Sequence, residues 1–522
     1  MLSVNQYENH VAARLLDFFG ARTPWQRALW SPGTVLSLKE ILEASEAVQA
    51  GILTDASLRN LVSATLGLIG PDPGIGATAR RQALQRALQS PIRMEGAEYH
   101  QIRIILNDVE REYLTNWAAA LRMANPPSPE RTARAVAAFL LDAGFSAPFL
   151  HRWLTYRVEH EPGTRSLADL IDDAVTLTQR PLRAYRILVA FEAAAESKSG
   201  MPANWVGPST VSDWLQQNGF AVSGLRQNGG MWFEIDASDA WSAVEKTVEI
   251  VDRLTSRVVL GTNGRLLPLP SAWVEGHRQH FRFGIGPRRV EVHALHREDK
   301  LYSIAKGGIV DAALELLGPL NSGSASPAVT GAWAAMEALL SGPGDDDVLA
   351  ADRMAALVAC SFVRAELTAL SYVLEESADP IAAQLAACGT NRDRALLTAG
   401  KILAEPTATF GSPSDHAAIS RMGSTLANPH TNLRDIEGHV TTAFRRLYRQ
   451  RNLVIHWGKT DAIALNATLR TAAPLVGAGV DRIAHGWFVD GIKPVELAAR
   501  ARIGIDTVGS AGSKSPVDLL SQ

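Results

Sequence analysis

The sequence contains little cysteine and no large excess of charge of either sign. Its 522 residues include only Cys360 and Cys388, which excludes a disulfide framework and a cysteine-rich zinc module. Two thiols in a chain of this length are typical of a reducing compartment and of buried structural cysteines. Lys and Arg total 51 against 54 Asp and Glu, a net charge of -3. The chain as a whole is therefore no polycation that coats nucleic acid, and any phosphate-binding surface must be local.

Long apolar runs and the common catalytic signatures are also missing from the sequence. No window of 18 apolar residues is free of charge, and the N-terminus lacks a basic stretch followed by an apolar run. These patterns predict a cytoplasmic protein without a membrane partner. We find no Walker loop, no H-E-x-x-H and no G-x-S-x-G, so nucleotide hydrolysis, zinc proteolysis and α/β-hydrolase chemistry lose support.

The patterning along the chain predicts a mainly α, multidomain fold. The length favours two or three domains. Residues 1–200 have helical periodicity and no catalytic motif, which leaves a sensor or regulatory role open. Residues 201–312 include strand-like segments and indicate a small α+β module. Residues 313–503 read as a helical bundle, and the Gly- and Ser-rich residues 504–522 as a flexible tail.

Strand-like and helical patterns alternate within the α+β module. Three segments read as strands: 231–235, 281–285 and 289–293. The last two predict a hairpin, because a glycine-containing turn joins them. A helix from Trp241 to Thr255 follows from apolar residues at helical spacing, with Asp236 or Ser238 as its N-cap.

Three patterns in this sequence have both a structural and a ligand-binding interpretation. Five tryptophans lie in the α+β module: Trp205, Trp214, Trp232, Trp241 and Trp273. Core packing is their usual role, and stacking on bases or on a nucleotide is the alternative. Two H-x-x-H pairs comprise His277, His280, His293 and His296, but an odd spacing on a strand separates their side chains. The acidic run at 345–347 reads as a solvated loop, with a divalent ion as the alternative. We expect no metal and no cofactor.

The segment from Arg445 to Gly458 carries the strongest functional signal. Four arginines stand within seven residues of an otherwise slightly acidic chain: Arg445, Arg446, Arg449 and Arg451. Val440, Phe444 and Leu447 mark the buried stripe of a helix, and Arg451 returns to that stripe. Its guanidinium therefore needs an anionic partner, which is either a carboxylate of the protein or a phosphate of a ligand.

His456 follows Arg451 by five residues. In a continuing helix the two side chains would diverge by about 140°. Gly458, however, reads as a helix stop, with Thr460 as the N-cap of the next helix. On that interpretation His456 lies on a turn, where it and Arg451 can converge on one phosphodiester. Two further Arg-x-x-x-x-His pairs lack this context: 288 to 293 lies on a predicted strand, and 434 to 439 is interrupted by a glycine.

These residues resemble a known family. The run from Arg451 to His456, with Gly458, resembles the R-N-x-x-[IV]-H motif of HEPN domains, especially the branch found in ApeA-like anti-phage proteins. Residues 331–340 resemble the family's earlier helix, in which a tryptophan is followed by an acidic residue before a Leu pair. The resemblance covers roughly residues 315 to 500, about a third of the chain.

The resemblance implies a helical bundle that dimerises and cleaves RNA without a metal. His456 would be the general acid or base for attack by the ribose 2′-hydroxyl. Arg451 would hold the phosphate and stabilise the charge of the transition state. Asn452 would orient the histidine or the phosphate, and Glu337 is a weaker supporting candidate. The candidate contacts to the RNA backbone are Arg445, Arg446 and Arg449, whose structural alternative is a salt-bridged helix face.

We therefore expect a metal-independent endoribonuclease, a homodimer that acts on RNA, with tRNA as one candidate. The resemblance makes it a regulated effector of bacterial anti-phage or toxin-type defence, in the manner of abortive infection, with a partner protein or a phage-derived trigger as activator. One alternative is a non-catalytic HEPN-like module that binds RNA or protein as a dimerisation or scaffold component of a defence complex. Burial of Arg451 or His456 in an internal ion pair would favour it. A second alternative keeps the bundle structural and gives nucleotide binding to the tryptophan-rich module.

Overall fold

The computed structural model describes residues 4–160, 166–196, 198, 200–221, 224–286, 288–304, 307–405 and 410–521. In these ranges the chain is mainly helical, with a small antiparallel sheet in the middle of the sequence, and the predicted fold class is confirmed. The chain divides into two compact units. The helical unit comprises residues 1–142, 154–175 and 287–522, and the sheet unit comprises residues 143–153 and 176–286.

Eight helices precede the sheet in the part of the sequence that the structure describes. They are α1 (Val4–Phe19), α2 (Thr34–Gln49), α3 (Asp55–Ile69), α4 (Thr78–Gln89), α5 (Ala97–Leu121), α6 (Pro129–Asp142), α7 (Ala147–His160) and α8 (Leu167–Thr178). Short 3-10 helices lie at Trp25–Arg27 and Pro73–Ile75. The helical periodicity of this region thus predicts its secondary structure as far as Thr178. The first strand begins at Arg183, inside the region predicted to be helical.

The sheet unit has five strands in the order β2-β3-β1-β4-β5, and all neighbouring pairs are antiparallel. The strands are β1 (Arg183–Ala193), β2 (Trp205–Val206), β3 (Gly230–Ala237), β4 (Leu267–Val274) and β5 (Phe281–Arg282), with helices α9 (Pro208–Gln217) and α10 (Ala240–Thr262). Side chains alternate along the central strand β1. Ile187 and Val189 belong to the hydrophobic cluster that contains residues of α10, whereas Leu188 packs with residues of α9.

The structure confirms the predicted strand 231–235 and the helix from Trp241 to Thr255. The N-cap of that helix is Asp239, which forms a capping box with Ser242, and not Asp236 or Ser238. The five tryptophans predicted for the α+β module all take part in the core clusters of the sheet unit.

The predicted hairpin of 281–285 with 289–293 is wrong. Phe281–Arg282 pairs with β4 instead, and residues 289–293 form no strand. Arg289 has a φ of 60°, a left-handed conformation that breaks a strand. The Val290 N–H donates a hydrogen bond to the Asn321 side chain within the helical unit, and not to a neighbouring strand. Pro287, in the predicted turn, lies outside the described residues.

Among the described residues after the sheet there are ten helices. They are α11 (Ala294–Arg297), α12 (Ile309–Ser322), α13 (Ala325–Leu340), α14 (Leu349–Glu375), α15 (Ala382–Ala386), α16 (Asn391–Ala404), α17 (Pro413–Ala427), α18 (Pro429–Trp457), α19 (Leu465–Asp490) and α20 (Pro494–Thr507). Helix α14 is central, because α13 and α15 to α20 all pack against it. It is also the one described helix whose length and composition would suffice to cross a membrane, and most of that apolar stretch is buried inside the protein.

Buried ion pairs join the N-terminal helices to the C-terminal ones within the helical unit. Arg14 of α1 and Arg421 of α17 both bind Glu130 of α6. Arg421 also binds the fully buried Glu366 of α14, whose other partner is Arg27. This arrangement differs from the predicted division, in which residues 1–200 and 313–503 form separate domains, because charges buried between the two segments hold them in one unit.

The last residues of the chain differ from the flexible tail predicted for 504–522. Val517, Leu519 and Leu520 are buried. Arg364 of α14 donates a hydrogen bond to the Val517 carbonyl and pairs with Asp518. The Gly- and Ser-rich composition conceals these apolar side chains, which cover the surface of the bundle.

We expect that a glycine is needed at position 458 only because the backbone there is left-handed. Gly458 ends α18 with a φ of 67°, and no atom lies within 4 Å of a Cβ placed there. Gly458→Ala should therefore lower the free energy of unfolding by about 1 kcal/mol, the cost of an alanine in the left-handed region. Gly400→Ala is the control, because this α16 position is equally open but lies within a helix, where alanine stabilises. Urea denaturation should move the two midpoints in opposite directions, and a shared direction would contradict the assignment.

Candidate functional site

The C-terminal end of α18 places the predicted catalytic residues. Gly458 ends the helix as predicted, and its backbone N–H bonds to the Leu453 carbonyl. His456, however, belongs to the last turn of the helix and does not lie on a loop beyond it. Thr460 is not the N-cap of the next helix, because α19 begins at Leu465 with Ala464 in that position.

Arg451 and His456 approach each other although the helix continues between them. The distance from Arg451 Nη1 to His456 Nε2 is 3.4 Å. The same Nη1 donates a 2.8 Å hydrogen bond to Asn452 Oδ1. The arginine side chain is long enough to reach around the helix axis to the histidine. The structure therefore brings all three predicted catalytic residues together.

The three residues differ in burial, and Arg451 differs from its neighbours in its partners. Asn452 is buried, Arg451 is half-buried and His456 is exposed. Among the residues that the structure describes, Arg451 forms no ion pair with a carboxylate, and neither does His456. The positive charge of Arg451 is therefore oriented by a neutral amide but not cancelled. An anionic ligand can still supply the partner that its charge requires.

Tyr448 and Asp347 extend the site beyond the residues that we predicted. Tyr448 precedes Asn452 by one helical turn, and its hydroxyl donates a 3.1 Å hydrogen bond to Asp347 Oδ2. Its ring lies 5.0 Å from the Trp333 ring on α13. Burial raises the pKa of Tyr448, an effect that a hydrogen bond to Asn452 opposes. The spacing of three and four residues from Arg451 and Asn452 was a usable sequence signal for Tyr448.

The acidic run at 345–347 makes contacts with side chains of the protein. Asp345 binds Arg353, and Asp347 accepts the tyrosine hydrogen bond. Within the described parts of the chain no group of three or more His, Cys, Asp or Glu side chains could hold a metal ion. The four histidines of the H-x-x-H pairs form no such group either.

Glu337 lies on α13, one helical turn after Trp333, and is half-buried. Its carboxylate makes no described hydrogen bond or ion pair with Arg451, Asn452 or His456. The structure therefore does not bring this predicted supporting residue into contact with the motif.

Arg446 and Arg449 point into the protein and not toward a ligand at the surface. Each is 2% exposed, and both bind the carboxylate of Glu40 on α2, which is 1% exposed. Arg446 Nε lies 2.7 Å from Glu40 Oε2, and Arg449 Nη2 lies 2.9 Å from Oε1. Their prediction as contacts to the RNA backbone is wrong for this structure, because a buried guanidinium held by a carboxylate cannot reach a phosphate outside.

Arg445 is the third arginine predicted to contact RNA. It is partly exposed, and its guanidinium forms a bidentate ion pair with Asp352 on α14, with N···O distances of 2.9 to 3.1 Å. The salt-bridged helix face that we considered as the alternative therefore describes Arg445. Arg451 is the one arginine of the cluster whose charge no described carboxylate neutralises.

The tryptophan-rich unit has a cleft of about 570 Å³ on the face of its sheet. Its walls include Trp214 and Trp232, whose rings meet edge to face with centroids 5.0 Å apart. The Arg186 guanidinium lies 4.3 Å from the Trp232 ring centroid. Because this cation covers one face of Trp232, a base would have to displace it to stack there. Nucleotide binding by this unit stays a prediction.

Glu40 is expected to be essential for stability because it is the shared partner of two buried arginines. Glu40→Gln would leave both guanidiniums buried without a carboxylate and should lower the free energy of unfolding by about 3 to 5 kcal/mol. Asp352→Asn removes the partner of the partly exposed Arg445 and should cost up to about 1 kcal/mol. Urea denaturation measures both variants. If Arg446 and Arg449 could turn outward to bind RNA, the two losses would be similar.

The contribution of Glu40 should also depend on pH. Burial alone would raise its pKa, but the charges and hydrogen bonds of Arg446 and Arg449 outweigh burial and lower it. The stabilisation is therefore complete above the unfolded pKa of about 4.3 and is lost as the pH falls through the lower folded value. The difference in unfolding free energy between the natural protein and Glu40→Gln should stay constant from pH 7 to about 5 and shrink below about 4. A difference that grows on acidification would contradict this assignment.

Comparison of the chain with models of protein families, with curated proteins and with solved structures found no match. The resemblance to HEPN domains therefore depends on the residues of α13 and α18 themselves.

Proposed function

We propose that this protein is a metal-independent endoribonuclease with Arg451, Asn452 and His456 as its catalytic residues. One observation carries the proposal: at the end of α18 a guanidinium with no carboxylate partner among the described residues lies 3.4 Å from an exposed imidazole. A cation that binds phosphate and a group that transfers protons are the two elements that RNA cleavage without a metal requires. The resemblance of this segment to the HEPN motif supports the same chemistry.

In the proposed reaction the ribose 2′-oxygen attacks the adjacent phosphorus while the bond from phosphorus to the 5′-oxygen breaks. The products are a 2′,3′-cyclic phosphate and a 5′-hydroxyl. His456 takes the proton of the 2′-hydroxyl or gives a proton to the leaving 5′-oxygen. Arg451 binds the phosphoryl oxygens as negative charge builds on them, and Asn452 holds the guanidinium in place.

One histidine serves one of the two proton transfers, which favours a second copy of the motif across a dimer interface. The surface beside the motif is suitable, since Ile455 is 45% exposed and Trp457 is 36% exposed. Apolar side chains of this size beside a charged site are typical of an interaction surface. We therefore propose a homodimer in which two α18 ends form one cleft for RNA.

The cellular role that we propose is based on the resemblance to HEPN domains. It is that of a regulated cytoplasmic effector in bacterial anti-phage or toxin-type defence, with RNA such as tRNA as its target and a partner protein or phage-derived trigger as its activator. The non-catalytic alternative expected Arg451 or His456 in a buried ion pair. Neither residue forms a described one, so that argument for a pure binding module is removed.

The decisive experiment is RNA cleavage by the purified full-length protein in EDTA. Total cellular RNA and tRNA should be cut, with 2′,3′-cyclic phosphate at the new ends. His456→Ala should slow cleavage by roughly 10²- to 10⁴-fold, because it removes the group that transfers protons. Arg451→Ala should slow it by roughly 10²- to 10³-fold, because it removes charge stabilisation in the transition state.

His430→Ala is the matched control, since His430 is exposed on the same helix, at its opposite end. It should cleave at the natural rate, and thermal unfolding of all variants shows that they are folded. Cleavage that needs Mg²⁺, or that survives His456→Ala, would overturn the proposal. Equal RNA binding by all variants without any cleavage would favour the non-catalytic module.

A further inference from the structure

A second site lies in the helical unit, away from the residues of the Arg451 motif. It is a cavity of about 290 Å³ to which three helices contribute. Ser37 of α2, Thr65 of α3, and His439 and Arg446 of α18 are among its lining residues. This volume lies just below the range for sites of drug-sized molecules, roughly 300 to 1,000 Å³, so it suits a small ligand.

The charges beneath this cavity do not balance. Arg446 and Arg449 share the single carboxylate of Glu40, and all three side chains are almost completely buried. Two positive charges and one negative charge leave a surplus of one positive charge inside the protein. Buried charge of this kind is unfavourable unless an anion compensates it.

Arg446, which lines the cavity, carries a hydrogen-bond donor without a partner among the described residues. Arg446 uses its Nε for Glu40, whereas its Nη1 is buried and has no partner among the described residues. Ser37 Oγ is likewise buried, and within the described parts of the chain it has no partner. Unsatisfied buried polar atoms are rare in proteins, and two of them in residues that line the same cavity point to a ligand that bonds both.

The other polar groups around the cavity are compatible with an anion. Burial lowers the pKa of His439 to about 4, with a smaller contribution from Arg134, so at neutral pH its neutral ring can donate one N–H. Arg434 lines the cavity and binds Glu437 and Asp506. Asp435 is the one carboxylate in the lining, and it is exposed to solvent, where its repulsion is screened.

We propose that this cavity binds a phosphate group, as inorganic phosphate or as the end of a phosphate monoester. A guanidinium binds phosphate oxygens well. The two donors, Ser37 Oγ and Arg446 Nη1, belong to different helices, α2 and α18, and can therefore bind different oxygens of a tetrahedral anion. A bound phosphate would satisfy Arg446 Nη1 and Ser37 Oγ and cancel the surplus charge. The site is independent of the proposed ribonuclease activity, since none of the motif residues lines it.

Isothermal titration calorimetry of the full-length protein tests this site with three separate probes: inorganic phosphate, adenosine monophosphate and acetate, all at constant ionic strength. We expect saturable binding of phosphate or of the monophosphate at one site per chain. Tighter binding of the monophosphate would identify the ester as the ligand, whereas tighter binding of phosphate would identify the free anion. Acetate, which is planar, should bind at least tenfold more weakly than the better phosphate compound.

Ser37→Ala should weaken binding by about tenfold, the value of one hydrogen bond to a charged group. This variant loses no hydrogen bond in the free protein, so it should fold. Ser45→Ala is the matched control, because Ser45 lies on the same helix and is buried, but bonds the Leu42 carbonyl and does not line the cavity. Absence of saturable binding of both phosphate compounds would overturn the proposal. So would equal affinity in Ser37→Ala, or acetate binding as tight as that of phosphate.

Discussion

The shared ion pair of Glu40 with Arg446 and Arg449 is the constraint on which the helical unit depends. It joins α2 near the start of the chain to α18 near its end, and all three charged groups are removed from water. Desolvation of such groups is costly, and only close contact between them offsets it. The N-terminal helices therefore cannot separate from α18 without exposing an uncompensated charge on both sides. The N-terminal region, for which the sequence leaves a sensor or regulatory role open, is thus built into the same unit as the candidate catalytic helix.

Local patterns predicted local structure well. The stripe of Val440, Phe444 and Leu447 is fully buried, and Gly458 ends its helix, because both depend on residues within one or two turns. The partner of Arg446 could not be found in this way, since Glu40 lies 406 positions away. The sequence of α2 does not single out Glu40 either, because Glu43 and Glu46 stand on the same helix. Which partner Glu40 has is decided by tertiary packing alone.

The sequence predicts which residues form the candidate site but not how they are arranged. We expected Arg451 and His456 to converge only if His456 left the helix, and the structure shows contact with the helix intact. The angle between two Cα positions limits short side chains, whereas an arginine with four rotatable bonds reaches around the axis. Tyr448 and Asp347 were missed for a related reason. Tyr448 lies on the same helix face, but Asp347 reaches it from a loop about a hundred residues earlier in the sequence.

The four arginines of the cluster differ in the partners that hold their guanidinium groups. In the sequence they are equivalent members of one basic run. In the structure Arg445, Arg446 and Arg449 each bind a carboxylate, whereas the hydrogen-bond partners of Arg451 are the Asn452 amide and the His456 ring. A carboxylate fixes a guanidinium and cancels its charge, but an amide fixes it and leaves the charge in place. Arg451 keeps an oriented charge beside the exposed His456 ring, without the carboxylate partner that each of its three neighbours has. The proposed cleavage requires such a charge where negative charge builds on the phosphoryl oxygens.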